Sequence, residues 1–288
     1  MQLYKLRLYI LMVLLAGCTD NPFFDDKIEI QQNRSISGQV ELDQGVTPSG
    51  VYIWFEVLNL SDWTDEDGNF EIELPAAETQ AGGGLNGIYR LYIYTANYQY
   101  EQYDLLLLKG EFKYDTETLD TKGNFKHKIT LKKLLDIHTT IEPNKIFSTN
   151  KDPIDFTIRL ESLVDSVIVQ THFNIWNTPS SLVFLKKDSP IEEAILIQGN
   201  PAILLTTVIK DIVFWSTSFV FPSNFFDPGV YQVQPYIQIM QDGLPDELSL
   251  SIDENIFNID YHYLNWPIKQ QFGYLTVVNF MNKSIELH

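Results

Sequence analysis

Residues 62–75 read DWTDEDGNFEIELP. The stretch is either a calcium loop or a tight turn between two strands, and the choice sets the class of fold around it. A helix–loop–helix calcium site needs oxygen ligands at loop positions 1, 3, 5 and 12, with Gly at 6. With Gly68 at the sixth position, Asp65 and Asp67 fall where ligands are required. Trp63 and Leu74 then occupy the first and last ligand positions, and neither side chain binds calcium. The chain supplies its own control at 119–125, LDTKGNF. Both copies share Gly-Asn-Phe, and both carry an Asp three residues before the Gly: Asp65 before Gly68, Asp120 before Gly123. Glu66 and Asp67 become Thr121 and Lys122, and a lysine repels calcium. The shared feature is therefore a type I turn, which favours Asp at its first corner and Gly at its last. Asp65 and Asp67 remain the candidates for a weak calcium site. No other metal site and no cofactor is expected.

Working outward, strand signals dominate. Phe70, Ile72 and Leu74 alternate with polar residues, as a half-buried strand requires. Ser35–Leu42 alternates too, Val51–Leu58 is mostly apolar, and Tyr89–Thr95 is aromatic and β-branched. Beyond a boundary expected near Asp136–Asn144 the rhythm resumes. Strands are expected at Asp155–Leu160, Ser166–Phe173, Ser181–Leu185, Ala202–Ile209, Ile212–Phe221, Val230–Met240 and Phe272–Phe280. Turn signals such as Asp227-Pro-Gly229 and Asp242-Gly-Leu-Pro245 separate them. Helical patterns are confined to Leu131–Leu135 and Glu192–Leu196, too short for a helical layer. The expected class is all-β with two β-sandwich domains, the second immunoglobulin-like or another sandwich.

Residues 35–75 also carry a family likeness. Ser35, Gly38, Val40, Gly50, Thr64-Asp65, Asp67-Gly68, Phe70 and Pro75 stand in the order found in carboxypeptidase regulatory-like domains. The later Tyr89–Tyr94 run and Asn97-Tyr98 resemble the next strand of that family. The likeness covers roughly residues 34–135. It implies a transthyretin-like sandwich that acts as a scaffold or attachment module, with no catalytic residues to carry over.

The N-terminus reads as an address. Lys5 and Arg7 precede an apolar run, Leu8–Ala16, that is short for a membrane span. It ends in Leu15-Ala16-Gly17-Cys18, which resembles the lipobox of bacterial lipoproteins. That resemblance implies removal of residues 1–17, acylation of Cys18 (palmitate among the acyl chains), and a membrane held through lipid. Residues 18–33 then form a tether, 34–136 the carboxypeptidase regulatory-like domain and 137–288 the second sandwich. The expected location is the bacterial cell envelope, the outer membrane favoured. Cys18 is the single cysteine, so its acylation leaves no thiol for a disulfide or a thiolate metal site. The formal charge is −18, and removing residues 1–17 takes away Lys5 and Arg7 and no acid, leaving −20. Such a charge argues against nucleic acid as a partner.

The sequence carries few marks of catalytic chemistry. The five histidines form no His-Glu-x-x-His pattern, and there is no Gly-x-Ser-x-Gly elbow or phosphate-binding loop. The aromatics offer two readings. Trp63, Tyr92 and Tyr94 could form an exposed platform that stacks on sugar rings, or they could pack with ring buried and hydroxyl wet. The expected function is a non-enzymatic envelope lipoprotein serving as a structural or protein-interaction module. The alternative is a carbohydrate-binding accessory lipoprotein using those aromatics. Expected partners are the membrane, through lipid, and an envelope protein or a glycan.

Overall fold

The computed structural model describes residues 33–190, 193–198, 203–251 and 273–279. The lipobox, Cys18 and all of the tether but Asn33 lie outside the described residues. The fold is all-β, and the first eight strands build the first sandwich. They are β1 (Ser35–Leu42), β2 (Tyr52–Phe55), β3 (Leu60–Trp63), β4 (Asn69–Glu73), β5 (Gly87–Tyr94), β6 (Glu101–Leu108), β7 (Glu111–Phe112) and β8 (Ile129–Leu131). One sheet has the order β4-β1-β8, the other β3-β2-β5-β6-β7. Between them Ile36, Val40, Phe70 and Ile72 from the first meet Ile53, Phe55, Leu91 and Ile93 from the second. Each set alternates along its strand, so one face of each sheet goes to the core.

The twin turns fix this sandwich at β1. Gly68 and Gly123 have φ of +82° and +88°, a conformation glycine adopts without strain. Space demands glycine too. A Cβ on Gly68 would lie 2.1 Å from the Val40 carbonyl oxygen, and one on Gly123 2.6 Å from that of Ser35. Each turn docks on β1 by a backbone bond: Val40 N–H donates to Gly68 O (2.8 Å) and Ser37 N–H to Gly123 O (3.1 Å). The two phenylalanines of the repeated Gly-Asn-Phe meet over Gly38, their rings 5.7 Å apart. Inside each turn the aspartate accepts from the chain itself. Asp65 takes the N–H groups of Asp67 and Asn69 and the Asn69 amide; Asp120 takes those of Lys122 and Asn124 and the Asn124 amide.

The remaining strands are β9 (Leu135–Glu142), β10 (Lys145–Phe147), β11 (Ile154–Ser162), β12 (Val167–Phe173), β13 (Ser181–Lys186), β14 (Ile195–Gln198), β15 (Ile203–Ile209), β16 (Ile212–Phe219), β17 (Gly229–Pro235), β18 (Ile237–Met240) and β19 (Gly273–Val278). A five-stranded sheet β10-β19-β17-β13-β14 packs against two three-stranded sheets, β16-β11-β9 and β15-β12-β18. The two smaller sheets share their chain: β11 runs on into β12 and β15 into β16. Their common core holds Phe156, Ile158, Val169, Phe184, Val233 and Leu275.

Several expectations are corrected. Leu131–Leu135 is no helical turn: Leu131 ends β8 and Leu135 opens β9. Within Glu192–Leu196, Glu193 makes a 3-10 turn, its N–H donating to Pro190 O (3.0 Å), before strand β14 opens at Ile195. Near the expected boundary, Leu131 is the last buried residue of the first core and β9 opens at Leu135. Strands β3 and β6 went unread, because Leu60–Trp63 and Glu101–Leu108 mix acids with apolar residues. Val230–Met240 is two strands broken at Tyr236.

The turn geometry carries a pH dependence. Hydrogen bonds, the asparagine amides first, hold the Asp65 and Asp120 carboxyls below the ordinary 3.8. A depressed folded-state pKa contributes stability that is present above 3.8 and lost as pH falls through the folded values. Melting temperature measured from about pH 5 down to about pH 2 should therefore fall less steeply for Asp65→Asn/Asp120→Asn than for the parent chain.

Candidate functional site: the aromatic face and the junction

The sheet β3-β2-β5-β6-β7 is buried on both faces over its centre. Ile53, Phe55, Leu91 and Ile93 face the first core. The alternate residues Tyr52, Trp54, Tyr92 and Tyr94 point the other way and are at most 4% exposed. Register pairs them across the strands, Tyr52 with Tyr94 and Trp54 with Tyr92. A sheet buried on both sides reads as an unbroken apolar run, which explains YIWF and LYIY.

The cover comes from far along the chain. Leu248, on the short helix α1 (Asp246–Ser251), is fully buried in this aromatic cluster, and Leu244 and Tyr100 pack against it. Hydrogen bonds tie the approach. Tyr100 N–H donates to Gln241 Oε1 (3.0 Å), Gln241 Nε2 to Tyr98 O (2.9 Å), and the Tyr100 hydroxyl to Asp242 O (3.1 Å). Burial of a leucine of this kind contributes roughly 2 kcal/mol.

A second clasp lies where the chain leaves the first sandwich. Asn97 is fully buried and has φ of +65°, which asparagine tolerates better than most residues. Its amide bonds Leu135 twice: Nδ2 donates to Leu135 O (2.7 Å) and Oδ1 accepts from Leu135 N–H (2.9 Å). Leu134 N–H donates to Asn97 O (3.0 Å). Beside it Lys133, 6% exposed, meets Asp136 at 2.7 Å, and its backbone N–H donates to Asp43. Burial pushes the Tyr98 hydroxyl pKa up, with Asp43 and Asp136 nearby adding to it. The three residues between β8 and β9 are thus held on both sides, and residues 33–288 cohere as one unit.

This corrects the platform reading. Tyr92 and Tyr94 do form one aromatic face with Trp54 and Tyr52, but the chain's own Leu248 occupies it. Only Trp63 stays open, 40% exposed, with its ring 4.6 Å from that of Tyr52. Asp65 and Asp67 lie on the surface in the β3–β4 turn, with Asp65 serving the turn as described. A cleft of about 790 Å³ opens beside the junction, lined by Tyr100, Glu101, Asp165, Ile168, Met240 and Asp242 among others. Among the described residues no group of three or more His, Cys, Asp or Glu is placed to hold a metal. Gln241 and Leu248 were not singled out from the sequence, and Asn97 was, through the family likeness alone and not as a clasp. The available signal was the lack of alternation in YIWF and LYIY, which asks for a cover on the second face without saying where it comes from.

No family model matches the chain, and no curated protein matches it. Solved structures similar to it include BcpA, the major pilin subunit of Bacillus cereus. That match has 10% identity, covers 85% of this chain and 69% of the pilin, and has a TM-score of 0.26. Another is the Bacillus anthracis TIE protein, at 8% identity over 74% of this chain and 46% of that one, TM-score 0.22.

Two outcomes follow from the junction. Asn97→Ala leaves both polar groups of Leu135 unpaired and should destabilise the chain by roughly 2–4 kcal/mol in urea unfolding. Leu248→Asp should uncover the aromatic face, seen as a red shift of tryptophan emission and as new proteolytic cleavage within 241–251.

Proposed function

We propose that the chain is a lipid-anchored protein of a bacterial envelope and works as a non-enzymatic structural or protein-interaction module. The observation that carries this reading is the fate of the aromatic face. The sheet surface best suited to a ligand is used to fasten one sandwich to the other, which suits a stiff element more than a binding pocket. In this reading residues 34–136 are the carboxypeptidase regulatory-like unit. The motif positions Gly38, Gly68 and Phe70 all act in holding β1 to its neighbours, which supports that assignment. Residues 137–288 form the second sandwich. Cys18 supplies the anchor, and residues 18–33 lift the pair from the membrane, the outer membrane by preference. Among the described residues no helix is long and apolar enough to cross a membrane. A glycan-binding role has lost Tyr92 and Tyr94 and keeps Trp63 alone. The partner in this reading is an envelope protein.

The anchor is tested by fractionating cells that express the full chain or Cys18→Ala. The parent should enter the membrane fraction with an intact mass that shows loss of residues 1–17 and gain of acyl chains. The variant should be released. Equal distribution of the two, or an unmodified Cys18, refutes the lipoprotein reading.

A further inference from the structure

Strand edges expose unpaired N–H and C=O groups, and proteins usually guard them with charge or proline. In this molecule edges β3, β4, β7, β9 and β10 follow that rule, while β8, β14, β16 and β18 carry no charged residue. Edge β4 carries Glu71 and Glu73, β3 carries Asp62, and β9 carries Asp136 and Glu142. Edge β15 is uncharged too. It reads ILLTTVI and has no charged residue over its seven positions. Among the described residues it pairs on one side only, with β12. Its apolar side chains are open: Ile203 and Leu204 are 47% exposed, Leu205 36% and Val208 50%.

We propose that β15 is the contact through which two copies of this chain associate, antiparallel and edge to edge about a two-fold axis at Thr206. This reading is independent of the lipid anchor. Cross-strand partners must lie on the same face of a sheet, so a two-fold axis must pass through a residue pair. Centred on Thr206, the strand matches itself: Ile203 meets Ile209 of the second copy, Leu204 meets Val208, Leu205 meets Thr207, and Thr206 meets Thr206. Every pair is apolar or contains threonine, and Thr–Thr pairs are favourable across strands. The two β15-β12-β18 sheets would join into one.

Charge argues for this edge as well. A chain of formal charge −18 repels its copy over most of its surface. An uncharged seven-residue edge lets two such chains meet without opposing carboxylates. Area sets the strength. Four half-exposed aliphatic side chains and one strand edge fall short of the ~800 Å² per partner of a standard stable interface. The dimer should therefore be reversible, with a Kd in the micromolar range or weaker, on the order of 1 µM or above.

The register gives the test. The full chain in density-matched detergent is studied by sedimentation equilibrium over a range of concentrations. The parent should show a reversible monomer–dimer equilibrium. Leu204→Lys alone, or Val208→Glu alone, should weaken it by about tenfold or more, because a charge would face an apolar side chain. An equimolar mixture of the two variants should dimerise again, since Lys at 204 of one chain faces Glu at 208 of the other. Circular dichroism confirms that each exposed-site variant is folded. A parent that stays monomeric overturns the proposal. So does a dimer indifferent to both substitutions, or a mixture that fails to recover.

Discussion

The structure depends on a sheet with two buried faces. Tyr52, Trp54, Tyr92 and Tyr94 stand on the side of β2 and β5 turned away from the first core, and left to water they would form a large aromatic patch. Leu248 closes that patch from the other end of the chain. Once it does so, the second sandwich is joined to the first by packing as well as by the covalent link at 132–134. Gln241 and Tyr100 align the approach to the patch, through hydrogen bonds between Gln241 and the backbone of Tyr98 and Tyr100.

Asn97 completes the same constraint at short range. A link of three residues between β8 and β9 would act as a hinge if its backbone were free. Instead the Asn97 amide satisfies both polar groups of Leu135, as a neighbouring strand would. Lys133 in the same link is buried and pairs with the partly exposed Asp136 at the start of β9. Loss of Asp136 would leave a buried ammonium without its partner, so the pair penalises rearrangement. The junction is specified by packing, by backbone satisfaction and by charge together.

Legibility in the sequence follows the range of the interactions. The turn at Asp65–Gly68 could be read because its chemistry is local and because Asp120–Gly123 repeats it. The docking of both turns on β1 and the meeting of Phe70 and Phe125 over Gly38 followed from no local rule. Alternating strands such as β4 were readable from period-two burial. β3 and β6 were not, since their exposed faces carry acids that resemble loop residues. The aromatic face was visible as composition, and its occupant was not. Leu248 lies more than 150 residues from Tyr92 and Tyr94, and a single leucine beside Pro245 has no signature of a cover.

The two clasps bind the sandwiches into one cooperative body. Differential scanning calorimetry of the full chain tests this directly. Mutual burial at Leu248 and the Asn97 clasp predict a single transition for residues 33–288, with calorimetric and van't Hoff enthalpies in agreement. Two separate transitions, each with its own enthalpy, would contradict it.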